Sequence, residues 1–223
     1  MAASPESPRF PFKRLRVGFA SRTAEFVLAL ALCHNVTPTL DDFGNLEYQP
    51  SSPDEIAIVR WTHRVGLTLI SRSTTTLEIG LAESSLRFTF EILAVFPFTS
   101  DRKRMGILVR DTRSLDIYFY IKGADTVMAP LVQRNDWLEE ETGNMAREGL
   151  RTLVLGRKKL TLSEYEHFDK KYQEAKVRVM DRAESLQWVL SEYLEKDLEL
   201  MGLTGVEDKL QVCEQHPFLI LLG

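Results

Sequence analysis

The stretch Phe96-Pro97-Phe98-Thr99-Ser100-Asp101-Arg102-Lys103-Arg104-Met105-Gly106 decides how this chain is read. Before it, Leu86 to Val95 is rich in Leu, Phe, Ile and Val. After it, Ile107-Leu108-Val109 opens a second apolar run, and Ile117-Tyr118-Phe119-Tyr120-Ile121 follows a polar turn at Asp111 to Ser114. Apolar runs joined by short polar links predict hairpin strands. The link carries rings at one end and three consecutive cations, Arg102, Lys103 and Arg104. A ring beside cations suits a base that stacks and a phosphate that pairs. A core Phe and a solvated basic turn are the plainer reading of the same residues.

Outward from the hairpins the pattern turns helical. On the N-terminal side, Thr23 to His34 places Ala24, Val27, Leu28, Ala31 and Leu32 at helical spacing. Asn35 to Tyr48 reads as a loop. Ser52-Pro53-Asp54-Glu55 starts a second helix: Ser52 can cap, Pro53 suits the first helical position, and Glu55 closes a capping box. That helix runs to Gly66, and Leu67 to Ser71 and Leu77 to Ile79 read as short strands. On the C-terminal side, Lys122-Gly123-Ala124-Asp125 ends a strand and opens a helix through Met128, Leu131 and Val132. Asp136 to Arg147 reads as a helix, Arg151 to Leu155 as a strand, and Ser163 to Met180 and Arg182 to Leu198 as charged amphipathic helices. A last strand is expected over Leu198 to Leu203. A helix, a meander of strands and then helices predict an α+β fold with a twisted, mainly antiparallel sheet and flanking helices. Met1 to Arg16, with three prolines and no apolar period, reads as disordered.

Composition narrows the function. The 223 residues carry a net charge of −4, which argues against general nucleic-acid binding. Two cysteines, Cys33 and Cys213, support neither a disulfide framework nor a zinc site. The longest apolar run, Phe26 to Cys33, falls far short of the roughly 20 residues that cross a bilayer, so direct membrane insertion is not expected. The sequence contains no Gly-x-x-x-x-Gly-Lys-[Ser/Thr], no Gly-x-Gly-x-x-Gly and no Gly-x-Ser-x-Gly.

Four stretches taken together resemble the nucleotide-binding domain of type IV P-type ATPases, the phospholipid flippases. They are Ser52-Pro53-Asp54-Glu55, Phe98 to Met105, Lys122-Gly123-Ala124-Asp125, and Glu148-Gly149-Leu150-Arg151-Thr152-Leu153. Cys33-His34-Asn35 and Gly205 to Gln211 add to the likeness. Trp61-Thr62 with Val65 to Leu69 looks most like the subgroup that works without an accessory subunit. The resemblance implies a nucleotide-binding domain over 23–197, a partial segment of the phosphorylation domain over 198–211, and non-family ends at 1–22 and 212–223.

The resemblance also implies an ATP site. Phe98 would stack on adenine, an interaction worth about 1–3 kcal/mol per base; its plain alternative is a core Phe at a strand end. Lys122 would sit near base and phosphates, with Gly123 letting the ligand approach the backbone; the alternative is a solvated lysine. Arg151 would pair with phosphate oxygens, or else form a surface ion pair with Glu148 or Glu139. Glu55 would reach the adenine amino group, or serve the capping box, or both. Ser100 would add a polar contact or shape a turn, while Arg102, Lys103 and Arg104 shape the rim and its field. Magnesium would ride on the phosphates. The implied partners are the remaining domains of a transporter, on the cytosolic side of a Golgi or endosomal membrane. The phosphorylatable Asp-Lys-Thr-Gly-Thr of P-type ATPases does not occur in the 223 residues, so binding without turnover is expected. The contrasting expectation is a truncated, non-catalytic interaction module without useful ATP binding.

Overall fold

A computed structural model describes residues 21–40, 46–48, 52–82, 84–133, 135–207 and 217–220. The expected disorder at Met1 to Arg16 lies outside them. In chain order the elements are α1 (Ser21–Leu32), β1 (Pro38–Leu40), β2 (Leu46–Tyr48), α2 (Pro53–Arg64), β3 (Leu67–Arg72), β4 (Thr76–Leu81), β5 (Arg87–Phe96), β6 (Arg104–Asp111), β7 (Ile117–Gly123), α3 (Asp125–Met128), α4 (Leu138–Arg147), β8 (Leu150–Leu160), α5 (Leu162–Lys176), α6 (Arg182–Tyr193), β9 (Glu199–Glu207) and β10 (Pro217–Ile220). Strands β3 to β10 form one sheet in the order β10-β9-β8-β7-β6-β5-β4-β3, and each pair is antiparallel. This is the expected α+β fold. The stretch Pro97 to Lys103 is the link between β5 and β6, with Phe96 opposite Gly106.

Strand alternation divides the core in two. Met105, Ile107 and Val109 of β6 and Tyr120 of β7 join a cluster with Phe26, Leu30, Ile58 and Val59 from α1 and α2. Leu108 of β6 and Ile117, Phe119 and Ile121 of β7 point the other way, toward Met128, Leu138, Met145, Phe168 and Leu190 from α3 to α6. A sheet covered on both faces needs apolar side chains at successive positions. That is why β6 and β7 read as nearly unbroken hydrophobic runs. Gly106 is required here: a Cβ would lie 2.7 Å from the Phe119 ring, which packs edge-on against Phe96 with centroids 5.9 Å apart.

Several expectations are corrected. The Ser52–Glu55 capping box does not form: Ser52 makes no side-chain cap, and its carbonyl accepts the Ile56 N–H at 3.1 Å. A capping box does form at α5, where Thr161 Oγ1 accepts the Glu164 N–H at 3.2 Å and Glu164 Oε2 accepts the Thr161 N–H at 2.7 Å. The loop expected over Asn35 to Tyr48 contains the β1–β2 pair. Strand β8 is twice the expected length. Its polar residues extend the strand because each has a partner: Arg157 reaches Glu25 and Glu199, and Lys159 reaches Asp116 at 2.8 Å. The last strand, expected over Leu198 to Leu203, is β9 and runs on to Glu207, pairing with β8 from Leu150↔Glu207 to Arg157↔Glu199. The tail adds a strand as well, since β10 pairs with β9.

Candidate functional site

The cavity at the Phe98 end of the sheet measures about 380 Å³ and is lined by α2, the β5–β6 link and the ends of β6, β7 and β8. Lys122 reaches it by alternation. It stands two residues after Tyr120 and so lies on the α1–α2 face of β7. It is 6% exposed, and its Nζ lies 2.9 Å from Glu55 Oε1, itself on a residue 9% exposed. Glu55 Oε2 accepts the Asn35 N–H at 3.2 Å. A tertiary partner across the cavity therefore takes the carboxylate that the local pattern assigns to the helix end. Lys122 Nζ makes no aligned hydrogen bond among the described residues. A buried ammonium with donors to spare is a costly group unless a ligand completes it.

Cys33-His34-Asn35 forms the wall behind this pair. The Cys33 thiol faces the carbonyls of Tyr120 at 3.8 Å and Met105 at 4.0 Å. Burial pushes its pKa up to about 12, against the pull of Lys122. His34 Nδ1 accepts the Val36 N–H at 3.1 Å, so Nε2 carries the proton and donates to the Ala31 carbonyl at 2.8 Å. Burial lowers its pKa to about 3, helped by the nearby cations Arg72 and Lys122. These three residues close the end of α1 and aim the Asn35 N–H at Glu55. The sequence offered Cys33-His34-Asn35 only as a likeness, without a role.

Of the expected site residues, the cavity gathers Glu55, Phe98 and Lys122. Phe98 is 60% exposed, whereas Phe96, two residues earlier, is buried. The core reading thus belongs to Phe96 and leaves the Phe98 ring at the cavity mouth. Ser100 is exposed in the turn and does not line the cavity. Arg151 stands outside it, at the rim, with its guanidinium 2.9 Å from Asp54 Oδ1. Among the described residues it pairs with Asp54 of the cavity wall rather than with Glu148 or Glu139, close by in sequence. Lys103, Asn35, Asp54, Met105 and Leu153 also line the cavity.

The three cations of the link divide. Lys103 lines the cavity, while Arg102 and Arg104 both turn to Glu195, the first in a close contact and the second at 2.6 Å. Gly123 lines the cavity as well. A Cβ there would lie 2.6 Å from Arg104 Cβ and 2.9 Å from the Lys103 carbonyl. It is the link's own backbone that approaches Gly123, and the Ala124 N–H donates to the Lys103 carbonyl at 3.2 Å. Beyond Gly123, α3 is a single turn whose first residue, Asp125, is acidic.

The cavity thus brings an exposed ring, a buried lysine–glutamate pair and a lysine in a left-handed conformation together at the strand ends of a meander sheet. By comparison with known proteins, the chain belongs to the family of the P-type ATPase cytoplasmic domain N, whose model matches residues 22–212. It is 55% identical over 88% of its length to the phospholipid-transporting ATPase NEO1 of Saccharomyces cerevisiae, and spans 17% of that protein. It is 48% identical over 94% of its length to the probable phospholipid-transporting ATPase IIB of Homo sapiens, and spans 20% of it. With the probable phospholipid-transporting ATPase tat-5 of Caenorhabditis elegans it shares 49% identity over 86% of its length, and spans 18% of that chain.

Proposed function

We propose that this domain binds ATP in the Phe98–Lys122 cavity and serves a phospholipid-transporting P-type ATPase, presenting the γ-phosphate to an Asp carried elsewhere. The observation that carries this reading is the buried Lys122, held by Glu55 and lacking an aligned partner, on the same cavity as the exposed Phe98 ring. The volume lies within the roughly 300–1,000 Å³ of small-ligand sites. In this proposal Phe98 stacks on the adenine, Glu55 accepts from the adenine amino group, and Lys122 and Lys103 supply charge near the phosphates. Arg151 reaches phosphate oxygens from the rim by exchanging its contact with Asp54, and Ser100 contributes through the turn. No group of three or more His, Cys, Asp or Glu among the described residues is placed to hold a metal ion. Magnesium would travel on the phosphates and neutralise charge there during transfer. No helix among the described residues is long and apolar enough to cross a membrane, so lipid movement and a Golgi or endosomal address belong to the larger assembly in this proposal.

A second reading, an interaction module without useful ATP binding, is favoured by one observation. The α5–α6 tip exposes Val177, Val179, Met180 and Trp188. Nucleotide titration separates the two. ATP should bind with an affinity on the order of 0.1–1 mM, or about 4–5.5 kcal/mol, and shift the amides around Phe98 and Lys122. The 223 residues should not turn ATP over. The absence of any shift at several millimolar ATP would leave the interaction module standing.

A further inference from the structure

Glu195 is 2% exposed and follows α6, far in sequence from the β5–β6 link. One oxygen meets the Arg102 guanidinium and the other takes Arg104 Nη2 at 2.6 Å. Arg104 Nη1 also donates to the Arg102 carbonyl at 3.2 Å, so its guanidinium ties the carboxylate to the backbone of the link. Between the two arginines, Lys103 adopts φ 48°, and its N–H donates to the Thr99 carbonyl at 2.8 Å. The Arg102 N–H donates to Thr99 Oγ1 at 3.3 Å. A left-handed residue between two anchored neighbours projects its side chain away from theirs. Lys103 accordingly lines the cavity that Arg102 and Arg104 avoid. At the other end of the link, Phe96 packs edge-on against Tyr172 and Phe168 of α5, with centroids 5.6 and 6.4 Å away.

Backbone geometry sets Lys103 apart from its two neighbours, and a single buried carboxylate anchors those neighbours on the other side against their mutual repulsion. From this geometry we infer that Glu195 is a positioning residue for nucleotide binding: by drawing Arg102 and Arg104 to the α5–α6 side, it holds Lys103 and Phe98 toward the cavity. A segment at the far end of the sequence from α2 thereby governs the shape of the site. The inference rests on the nucleotide reading for its consequence and stands apart from it in its cause, which is visible without nucleotide.

The test takes both in turn. In the 223-residue chain without nucleotide, E195Q should raise amide exchange at Phe98 to Lys103 at least several-fold and leave α4 and β3 unchanged. Gln places an amide donor against two guanidinium donors, and it removes the charge that holds both. ATP affinity should fall by about tenfold in the wild-type background and by less than about threefold in the K103M/F98A background, because residues acting through one another are not additive. A merely structural Glu195 would lower affinity equally in both backgrounds. Should E195Q fail to fold, R102M/R104M/E195M carries the same test. Replacing a buried ion network with apolar side chains of similar size commonly preserves stability, and this variant should loosen the link in the same way. Wild-type exchange at Phe98 to Lys103 in the variant that folds overturns the inference. So does an equal loss of affinity in the two backgrounds. Altered exchange together with no ATP binding by the wild-type chain would remove the nucleotide reading and leave the anchoring in place.

Discussion

Removing Lys122 alone should destabilise the fold, removing it with Glu55 should restore stability, and both should weaken ATP binding. The K122M variant leaves the Glu55 carboxylate in a site where it is 9% exposed, with the Asn35 N–H as one remaining donor. Breaking a buried pair from one side costs about 3–5 kcal/mol. The cavity reaches the surface at Phe98 and admits water, so the lower end, about 3 kcal/mol, applies. For a chain of this size each kcal/mol moves the melting midpoint by about 2–4 °C, which gives a fall of roughly 6–12 °C. E55L/K122M replaces both ions with apolar groups of similar volume, and the midpoint should return to within a few degrees of wild type or exceed it. Both variants should lose ATP affinity by at least about tenfold, since each removes the only deeply buried cation of the cavity wall among the described residues. Calorimetric melting beside ATP titration reads both quantities. A double variant as unstable as K122M would refute the buried-charge argument. One that binds ATP like wild type would refute the site.

Phe98→Ala should weaken ATP by about 1–3 kcal/mol and cost little stability, because the ring is 60% exposed; a stability loss near the 3–5 kcal/mol of a buried Phe truncation would return the ring to the core. Glu55→Gln should lower the ATP-to-GTP affinity ratio, since the new amide can donate to the guanine carbonyl, and an unchanged ratio would confine Glu55 to holding Lys122. His34 gives a pH test. Its folded pKa of about 3 lies below the 6.5 of the unfolded chain, so the unfolded state binds the extra proton between those values. Its contribution is intact above pH 6.5 and falls with acidification, by about 2 kcal/mol at pH 5. Denaturant midpoints at pH 7 and 5 should differ by that much more in wild type than in His34→Gln, and parallel curves for the two proteins would count against it.

The legible parts of this molecule are those set by local pattern. Apolar runs joined by short polar links gave the meander, because each of its strands pairs with its sequence neighbour. Phe98 stood out in the sequence as a ring beside cations, whereas Lys122 entered only through the family resemblance. What escaped was decided across long separations. Glu55 satisfied a capping pattern but found Lys122. Arg151 had acidic residues within reach in sequence but met Asp54. Nothing around Glu195 in the sequence indicates that it collects two arginines more than 90 residues away. Strand β10 was missed because four residues of a short tail carry too little periodicity, and pairing with β9 supplies the rest.

The meander has a kinetic consequence. Each hairpin from β3 to β7 closes a short loop, so that part of the sheet can assemble by successive local steps. The Arg157–Glu25 contact that ties α1 to β8 spans 132 residues. Closing a loop of that length costs about 4 kcal/mol of chain entropy before any contact repays it. Helix α1 should therefore dock after the strands have formed, and the Cys33-His34-Asn35 wall that continues from it is completed only then. Pulse-labelled amide exchange during refolding should show β5 to β7 protected first and the Asn35 amide late, which makes the Glu55 side of the Phe98–Lys122 cavity among the last parts of the domain to mature.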